Sequence, residues 1–404
     1  MYYCEYVSPA HKKRLEGFIV YHLVDHLNWY SKGAICDLKC KIKAKNKILI
    51  SGTIICKPEA IKLPKGYIQK IVRNLYYGKM SRKNLEEDYE RDVYYSGVSP
   101  KTVYNKRLDV PEDIEVIVEI ETIIDPEKVE YYMEHVLEDT VVTGYAVNFV
   151  QTKYLPISYY LALKFGDHLS GVIDDMGSYR TLCNYATELN IPTFKIAVGI
   201  IFDGFRYRHR NIIISLPRKR KGQYTPQTLA ILRSSLLSPK FAGRKLEFLN
   251  HMGGDRIVFK RGFSDLEKKG YFDSECFKPN CFNGYGLYGP SILDFKKKVN
   301  GKDYYNINVC GAVRARQLAL LLLREKGYYS VFVKIKYKKD SKEPETIEAY
   351  SIDELGKEER IPDELLPEKS WFSKEAIRKD TQFEDFDWMM NLGLDAFDEF
   401  DSSI

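Results

Sequence analysis

Val299-Asn300-Gly301-Lys302-Asp303-Tyr304-Tyr305-Asn306-Ile307-Asn308-Val309-Cys310-Gly311-Ala312-Val313-Arg314-Ala315-Arg316 is the stretch on which the chain turns. A lysine and an aspartate, Lys302 and Asp303, follow a glycine directly. A long apolar helix is expected from about Gly311 to Lys326, stopped by Gly327. Glycine ahead of a cation lets both backbone and ammonium approach a bulky anion such as a polyphosphate. Taken alone, Asn300-Gly301-Lys302-Asp303 also reads as an ordinary surface turn. The segments around it decide between the two.

The 404 residues suffice for two or three structural units, and 44% hydrophobic with 29% charged residues describes a globular protein with ample core. A net charge of +6 permits anionic ligands without singling out nucleic acid. The basic run Pro217-Arg218-Lys219-Arg220-Lys221 reads as a solvated loop. Eight cysteines include no C-x-x-C, and the closest pairs, Cys36/Cys40 and Cys276/Cys281, lack partner pairs at zinc spacing, so reduced thiols are expected. His22 and His26 stand four apart on a helical pattern without a third ligand, and read as packed or surface histidines. The opening residues lack a basic-then-apolar leader, and no run reaches the ~18 apolar residues of a membrane span. A cytoplasmic protein with no membrane partner is expected.

Along the chain, helical spacing covers residues 15–29, and two strands at 34–44 and 48–56 flank the turn Lys45-Asn46-Lys47 as a hairpin. A short helix is expected at 65–77. In Ile114–Ile124 the apolar residues alternate with Glu115, Glu119 and Glu121, the pattern of a sheet with one wet face. Helices at 126–137, 155–165, 179–189 and 225–237 and strands at 141–149, 193–202, 211–216, 256–259 and 330–337 complete the reading. The segment from Asp380 is acidic and aromatic and is expected to dock as a short helix or fray. Helices thus mix with mainly antiparallel strands in an α+β class, divided into units 1–110, 111–225 and 226–404. The stretch 300–340 is expected to pack into a neighbouring unit. No glycine-rich strand-to-helix nucleotide fingerprint occurs.

Several motifs, in order, resemble those of one enzyme family. Glu5-Tyr6-Val7-Ser8-Pro9-Ala10-His11 before an amphipathic helix is similar to Ser-x-Gly-His-Pro-Asp-Lys at the start of S-adenosylmethionine synthetases. Ala34-Ile35-Cys36-Asp37 and Ile48-Leu49-Ile50-Ser51-Gly52-Thr53-Ile54 resemble the family's Val-Ala-Cys-Glu and Val-Val-Leu-Ser-Gly-Glu-Ile strands. Glu138-Asp139-Thr140-Val141-Val142-Thr143-Gly144-Tyr145-Ala146 is similar to Gly-Asp-Gln-Gly-Leu-Met-Phe-Gly-Tyr-Ala, and Leu155-Pro156-Ile157 to Met-Pro-x-Pro-Ile. Pro192-Thr193-Phe194-Lys195-Ile196-Ala197-Val198 resembles Pro-Asp-x-Lys-Ser-Gln-Val. Arg256-Ile257-Val258 with Asp265 follows Arg-Phe-Val-Ile-Gly-Gly-Pro-x-Gly-Asp, and Tyr285-Gly286 resembles part of Asp-Thr-Tyr-Gly-Gly. Asn300-Gly301-Lys302-Asp303 mirrors Ser-Gly-Lys-Asp. The likeness runs collinearly from about Glu5 to Tyr337.

The resemblance implies synthesis of S-adenosylmethionine from ATP and methionine. The sulfur attacks the ribose 5′ carbon, and the departing triphosphate is cleaved to pyrophosphate and phosphate. Such chemistry needs cations where charge develops on the leaving group. By resemblance His11 would bond the departing oxygen or its phosphate, and Lys195 and Lys302 would bind phosphates. Asp265 would hold the methionine ammonium, and Glu138 or Asp139 would sit beside methionine and ribose. Arg256, Asp303, Lys13 and Arg14 would join the ATP and methionine site. Magnesium and potassium would be the cofactors, with Asp37 at the potassium-ligand position. The implied fold is three similar α+β units about a pseudo-threefold axis, paired as a homodimer with sites between subunits.

The departures gather at charged positions. Lys13 stands where the family has a metal-binding aspartate, and Arg14 where it has lysine. Gly270-Tyr271-Phe272 replaces Gly-Arg-Lys, Asn306-Ile307-Asn308 replaces Lys-Val-Asp, and Ile257 replaces the adenine-stacking aromatic. Residues 290–299 replace a glycine-rich loop. Two readings follow: a divergent synthetase in which Lys13, Arg14 and Lys296–Lys298 supply fixed charge in place of metal, or a catalytically silent relative. The second would bind nucleotide, S-adenosylmethionine or a partner subunit.

Overall fold

Alternation of period two builds the first sheet. Strands β2 (Ile35–Ala44), β3 (Lys47–Cys56) and β4 (Glu115–Ile124) lie in that order. Cys36, Leu38, Ile42, Ile48, Ile50, Ile54, Cys56, Ile114 and Val116 all point to one buried side. On the other side Lys39, Lys41, Lys43, Glu115, Glu119 and Glu121 are exposed, the wet face that the sequence anticipates. Helical residues 19, 20, 23, 24 and 27 and helix α1 (Tyr67–Tyr76) cover the buried side with Ile19, Val20, Leu23, Val24, Leu27, Ile71 and Val72.

The structure, a computed structural model, describes residues 2–7, 16, 19–20, 23–24, 27–28, 31–44, 47–58, 66–76, 114–148, 154–155, 195–203, 206–216, 257–261, 276–277, 301–353 and 357–381. The helices expected at 155–165, 179–189 and 225–237, His22 and His26, the basic run 217–221 and the tail from 382 lie outside the described residues.

A second sheet joins β1 (Tyr2–Val7) to β6 (Lys195–Asp203), β7 (Arg206–Leu216), β8 (Ile257–Arg261) and the short β9 (Cys276–Phe277), in the order β8-β7-β6-β1-β9. The third carries β5 (Thr140–Val147), β10 (Ser330–Tyr337), β11 (Thr346–Ile352) and β12 (Glu358–Arg360), in the order β12-β11-β10-β5. Antiparallel pairing dominates, but β3–β4, β7–β8 and β1–β9 are parallel. The β3–β4 pair is parallel, and residues 57–114, α1 among them, give the length that such a crossover needs, since a hairpin turn cannot join parallel neighbours. Strands distant in sequence pair in all three sheets: β4 joins the hairpin, β1 joins β6, and β5 joins β10. Strand pairing follows burial of apolar faces, which chain order does not set.

Helix α2 (Pro126–Glu134) follows β4 at once, its Asp125 cap accepting from the Lys128 N–H at 2.9 Å. Helix α3 (Ile307–Lys326) lies against β5 and β10 and is buried over most of its length. It starts at Ile307, four residues before the expected Gly311, because the Asn306 side chain accepts from the Asn308 N–H at 3.0 Å and caps it. Gly144 of β5 makes the close approach possible, since a Cβ there would lie 2.1 Å from the Ala315 carbonyl carbon. Gly327, at φ +67°, ends α3 as the sequence predicts. Short 3-10 turns at Asp363–Leu365 and Lys369–Phe372 lead into helix α4 (Lys374–Thr381), where Asp380 is already helical.

Arg314 and Arg316, two apart on α3, serve different neighbours. Arg314 pairs with Asp380 at 2.7 Å, donates to Gln317 at 3.0 Å and stacks 4.0 Å above the Trp371 ring. Arg316 donates to the carbonyls of Tyr145 at 2.5 Å and Tyr154 at 3.2 Å. The two buried cations thereby pin α4 and the end of β5 to the same helix.

Candidate functional site

The turn from Gly301 to Asn306 joins the first sheet to α3. Gly301 has φ +86°, and its carbonyl accepts from the Leu38 N–H at 2.9 Å. A Cβ at Gly301 would lie 1.8 Å from the Leu38 carbonyl oxygen, so both the dihedral and the contact require glycine. Lys302 then forms an isolated antiparallel bridge with Asp37. Its Nζ lies 3.1 Å from Asp37 Oδ2, with the two side chains 25% and 49% exposed. The ammonium is therefore held by the strand yet open to solvent on one side.

Asp303, next in sequence, is wholly buried. Its Oδ2 accepts from the Cys36 N–H at 3.0 Å, and its Oδ1 from the Tyr132 hydroxyl at 2.8 Å and the Tyr305 N–H at 3.0 Å. Donors on both oxygens suit a carboxylate. Burial pushes the carboxyl up, against the opposing pull of the Cys36 N–H, the Tyr132 hydroxyl and the Lys374 charge. Burial and the Asp303 charge together raise the Cys36 thiol well above its ordinary range, which makes it an inert core thiol.

Beyond the turn, Asn308 Nδ2 donates to Glu138 Oε1 at 3.2 Å and to Asn306 Oδ1 at 3.0 Å. Asp139 instead accepts from the Lys339 N–H at 2.8 Å. The two adjacent carboxylates thus separate: Glu138 faces the start of α3, and Asp139 holds the turn after β10. The described part of the site comprises one half-buried cation, the Asp37 and Glu138 carboxylates and the amides of Asn306 and Asn308. Such a set can bind a phosphate through Lys302 and a polar or cationic group through the carboxylates.

Of the residues that the sequence nominated, the structure brings Asp37, Lys302 and Asp303 together, with Glu138 reached through Asn308. Lys195 opens β6 opposite Val7, the last residue of β1, four residues before His11 in sequence. His11, Lys13, Arg14, Arg256 and Asp265 lie outside the described residues. Sequence reasoning missed Tyr132 and Cys36 as holders of Asp303. Tyr132 follows Val129 at helical spacing, which marks both as inward-facing but gives no sign of the partner.

Among the described residues no group of three or more His, Cys, Asp or Glu could hold a metal ion. Asp37 is paired with Lys302 and Glu138 with Asn308. By themselves the described donors do not complete a magnesium or potassium site.

No protein-family model and no curated protein matches the sequence. Among solved structures, the chain is similar to an unusual S-adenosylmethionine synthetase from Campylobacter jejuni, with a TM-score of 0.61 and 15% identity over 100% of this chain and 99% of that one. The likeness spans both chains nearly end to end and establishes an S-adenosylmethionine-synthetase-like α+β fold.

Proposed function

We propose that the protein binds ATP and methionine and forms S-adenosylmethionine, releasing pyrophosphate and phosphate. The observation that carries this reading is Lys302: a glycine turn presents it partly exposed beside Asp37, ahead of α3, within a fold of the synthetase type. In the proposed site Lys302 binds a phosphate of the leaving triphosphate, where charge develops. His11, Lys195, Lys13 and Arg14 would add to that charge. Glu138, Asp139, Asp265 and Arg256 would orient methionine and the nucleoside, a contribution from positioning. Asp303 would act by fixing the turn, since both its oxygens are already engaged. Magnesium and potassium, with Asp37 at the potassium-ligand position, are what the resemblance implies, and would supply positive charge beside the triphosphate. The three sheets would correspond to the three units about a pseudo-threefold axis, with a homodimer completing the sites.

One observation favours a second reading, a silent relative that binds nucleotide or S-adenosylmethionine or regulates a partner subunit. Asn306 and Asn308, at the charged positions of the matching motif, are spent on capping α3 and on Glu138. Incubation with ATP, methionine, magnesium and potassium separates the two. S-adenosylmethionine and phosphate formation, lost in Lys302→Ala, is the expected result. Calorimetric binding of ATP without turnover would establish the silent reading, and absence of both would reject the site.

A further inference from the structure

Lys374 opens α4, yet it is only 4% exposed. A cation at the first position of a helix opposes the helix dipole, and burial removes its water, so nothing in α4 itself accounts for it. Its Nζ donates to the Tyr132 carbonyl at 2.7 Å and lies 3.6 Å above the Tyr132 ring. The hydroxyl of the same tyrosine donates to Asp303 at 2.8 Å. Asp303 is the carboxylate that acts on Lys374, and Lys374 the cation that acts on Asp303, through the low-dielectric space that the tyrosine fills. The helix that carries Lys374 is fixed on either side. The Tyr337 hydroxyl donates to the Phe372 carbonyl at 2.9 Å, and Arg314 pairs with Asp380 at 2.7 Å.

We propose that Lys374 is a positioning residue for the Lys302 site: as the buried counter-charge of Asp303, held on Tyr132, it fixes the turn that presents Lys302 beside Asp37. The proposal rests on the reading of Lys302 as a phosphate ligand. Its physical content is that a buried carboxylate keeps its three donors in place only while a cation offsets its charge. Removing that cation would loosen Asp303 from the Cys36 and Tyr305 amides, and with it the orientation of Lys302. Docking of the last described helix would then govern anion binding at a turn more than 70 residues earlier in sequence, from Lys302 to Lys374.

The test uses the full chain and three variants: Lys374→Met, Lys374→Arg and Tyr132→Phe. Amide hydrogen exchange is followed at Cys36 and Tyr305, with Val333 of β10 as the internal reference, and calorimetry measures ATP and inorganic tripolyphosphate. Exchange at Cys36 and Tyr305 is expected to quicken about tenfold or more relative to Val333 in Lys374→Met and Tyr132→Phe, and to return toward wild type in Lys374→Arg. Affinity for both anions should fall about tenfold or more in the same two variants. Unchanged local exchange, or exchange that rises uniformly with Val333, would overturn the proposal. So would local loosening with undiminished anion affinity. Should Lys374→Met not fold, Lys374→Gln, which keeps a donor for the Tyr132 carbonyl but not the charge, takes its place. A wild-type chain that binds neither anion would defeat the reading of Lys302 as a ligand, whereas the exchange result would still decide whether Lys374 holds the turn.

Discussion

Lys302 and Asp37 meet twice, once through the backbone bridge between the turn and β2 and once through an ion pair of 3.1 Å. The backbone contact places the side chains, so the pair does not need to hold the fold together. A partly exposed pair contributes about 0–1 kcal/mol. Lys302→Ala should therefore leave the thermal midpoint nearly unchanged while weakening ATP by about tenfold to a hundredfold, the worth of one charge-assisted hydrogen bond. Differential scanning calorimetry with ligand titration checks both halves. A large loss of stability with unchanged affinity would make Lys302 a structural residue.

Gly301→Ala, unlike Lys302→Ala, should lose stability as well as binding. The positive φ and the collision with the Leu38 carbonyl strain any side chain there, for a cost of roughly 3 kcal/mol. Gly144→Ala should cost a similar ~3 kcal/mol by forcing α3 away from β5. Urea unfolding of the two variants measures this, and ligand binding should suffer more in Gly301→Ala, which lies in the site.

At the other end of α3, the order of two substitutions tests the Arg314–Asp380 pair. Arg314 is almost wholly buried while Asp380 is 45% exposed. Asp380→Asn strands a buried cation and should cost ~3–5 kcal/mol. Arg314→Met replaces that cation with apolar volume and should cost about 1–2 kcal/mol, chiefly from the lost Gln317 and Trp371 contacts. Equal costs in chemical denaturation would show that the pair lacks the asymmetry that its burial implies.

Stability against pH carries a signature of the buried network. Burial pulls the Lys374 ammonium down to about 8 from 10.5, so between these values the unfolded chain holds a proton that the folded chain has released. Rising pH then favours folding, and the gain fades as pH falls through 8. Burial pushes the Cys310 thiol up to about 11 from 9, so between 9 and 11 this group acts in the reverse sense, as does Cys36. Stability should rise from pH 8 to 9 and level off or fall beyond. Lys374→Met should flatten the rise, and Cys310→Ala, with Cys36 still opposing Lys374, should turn the fall beyond pH 9 into a plateau. Urea midpoints at half-unit pH steps check the sign of each slope.

Much of this architecture is written in local pattern. The strand at 330–337, the antiparallel pairing of β2 with β3 and the alternation from Ile114 follow from period two and short separation in sequence, which act within a few residues. The start of α3 was obscured because Gly311 looks like a boundary, whereas the Asn306 side chain sets the cap four residues earlier. The likeness of ordered motifs pointed to an S-adenosylmethionine-synthetase-like α+β fold, and that much the structural comparison bears out.

The sequence alone determined the strands near 34–44, 48–56, 114–124 and 330–337, the one-sided first sheet and the nomination of Asp37, Lys302, Asp303 and Glu138. Only the tertiary structure decided that β3 and β4 run parallel and that Asp303 faces inward while Lys302 faces out. It alone showed that Lys374 and Tyr132, unremarkable in the chain, converge on that aspartate. Periodicity records which side of an element avoids water, a property of each residue by itself. Which buried carboxylate meets which buried cation depends on elements brought together from 171 and 71 residues away in sequence (Tyr132 and Lys374 from Asp303), and local pattern holds no trace of that.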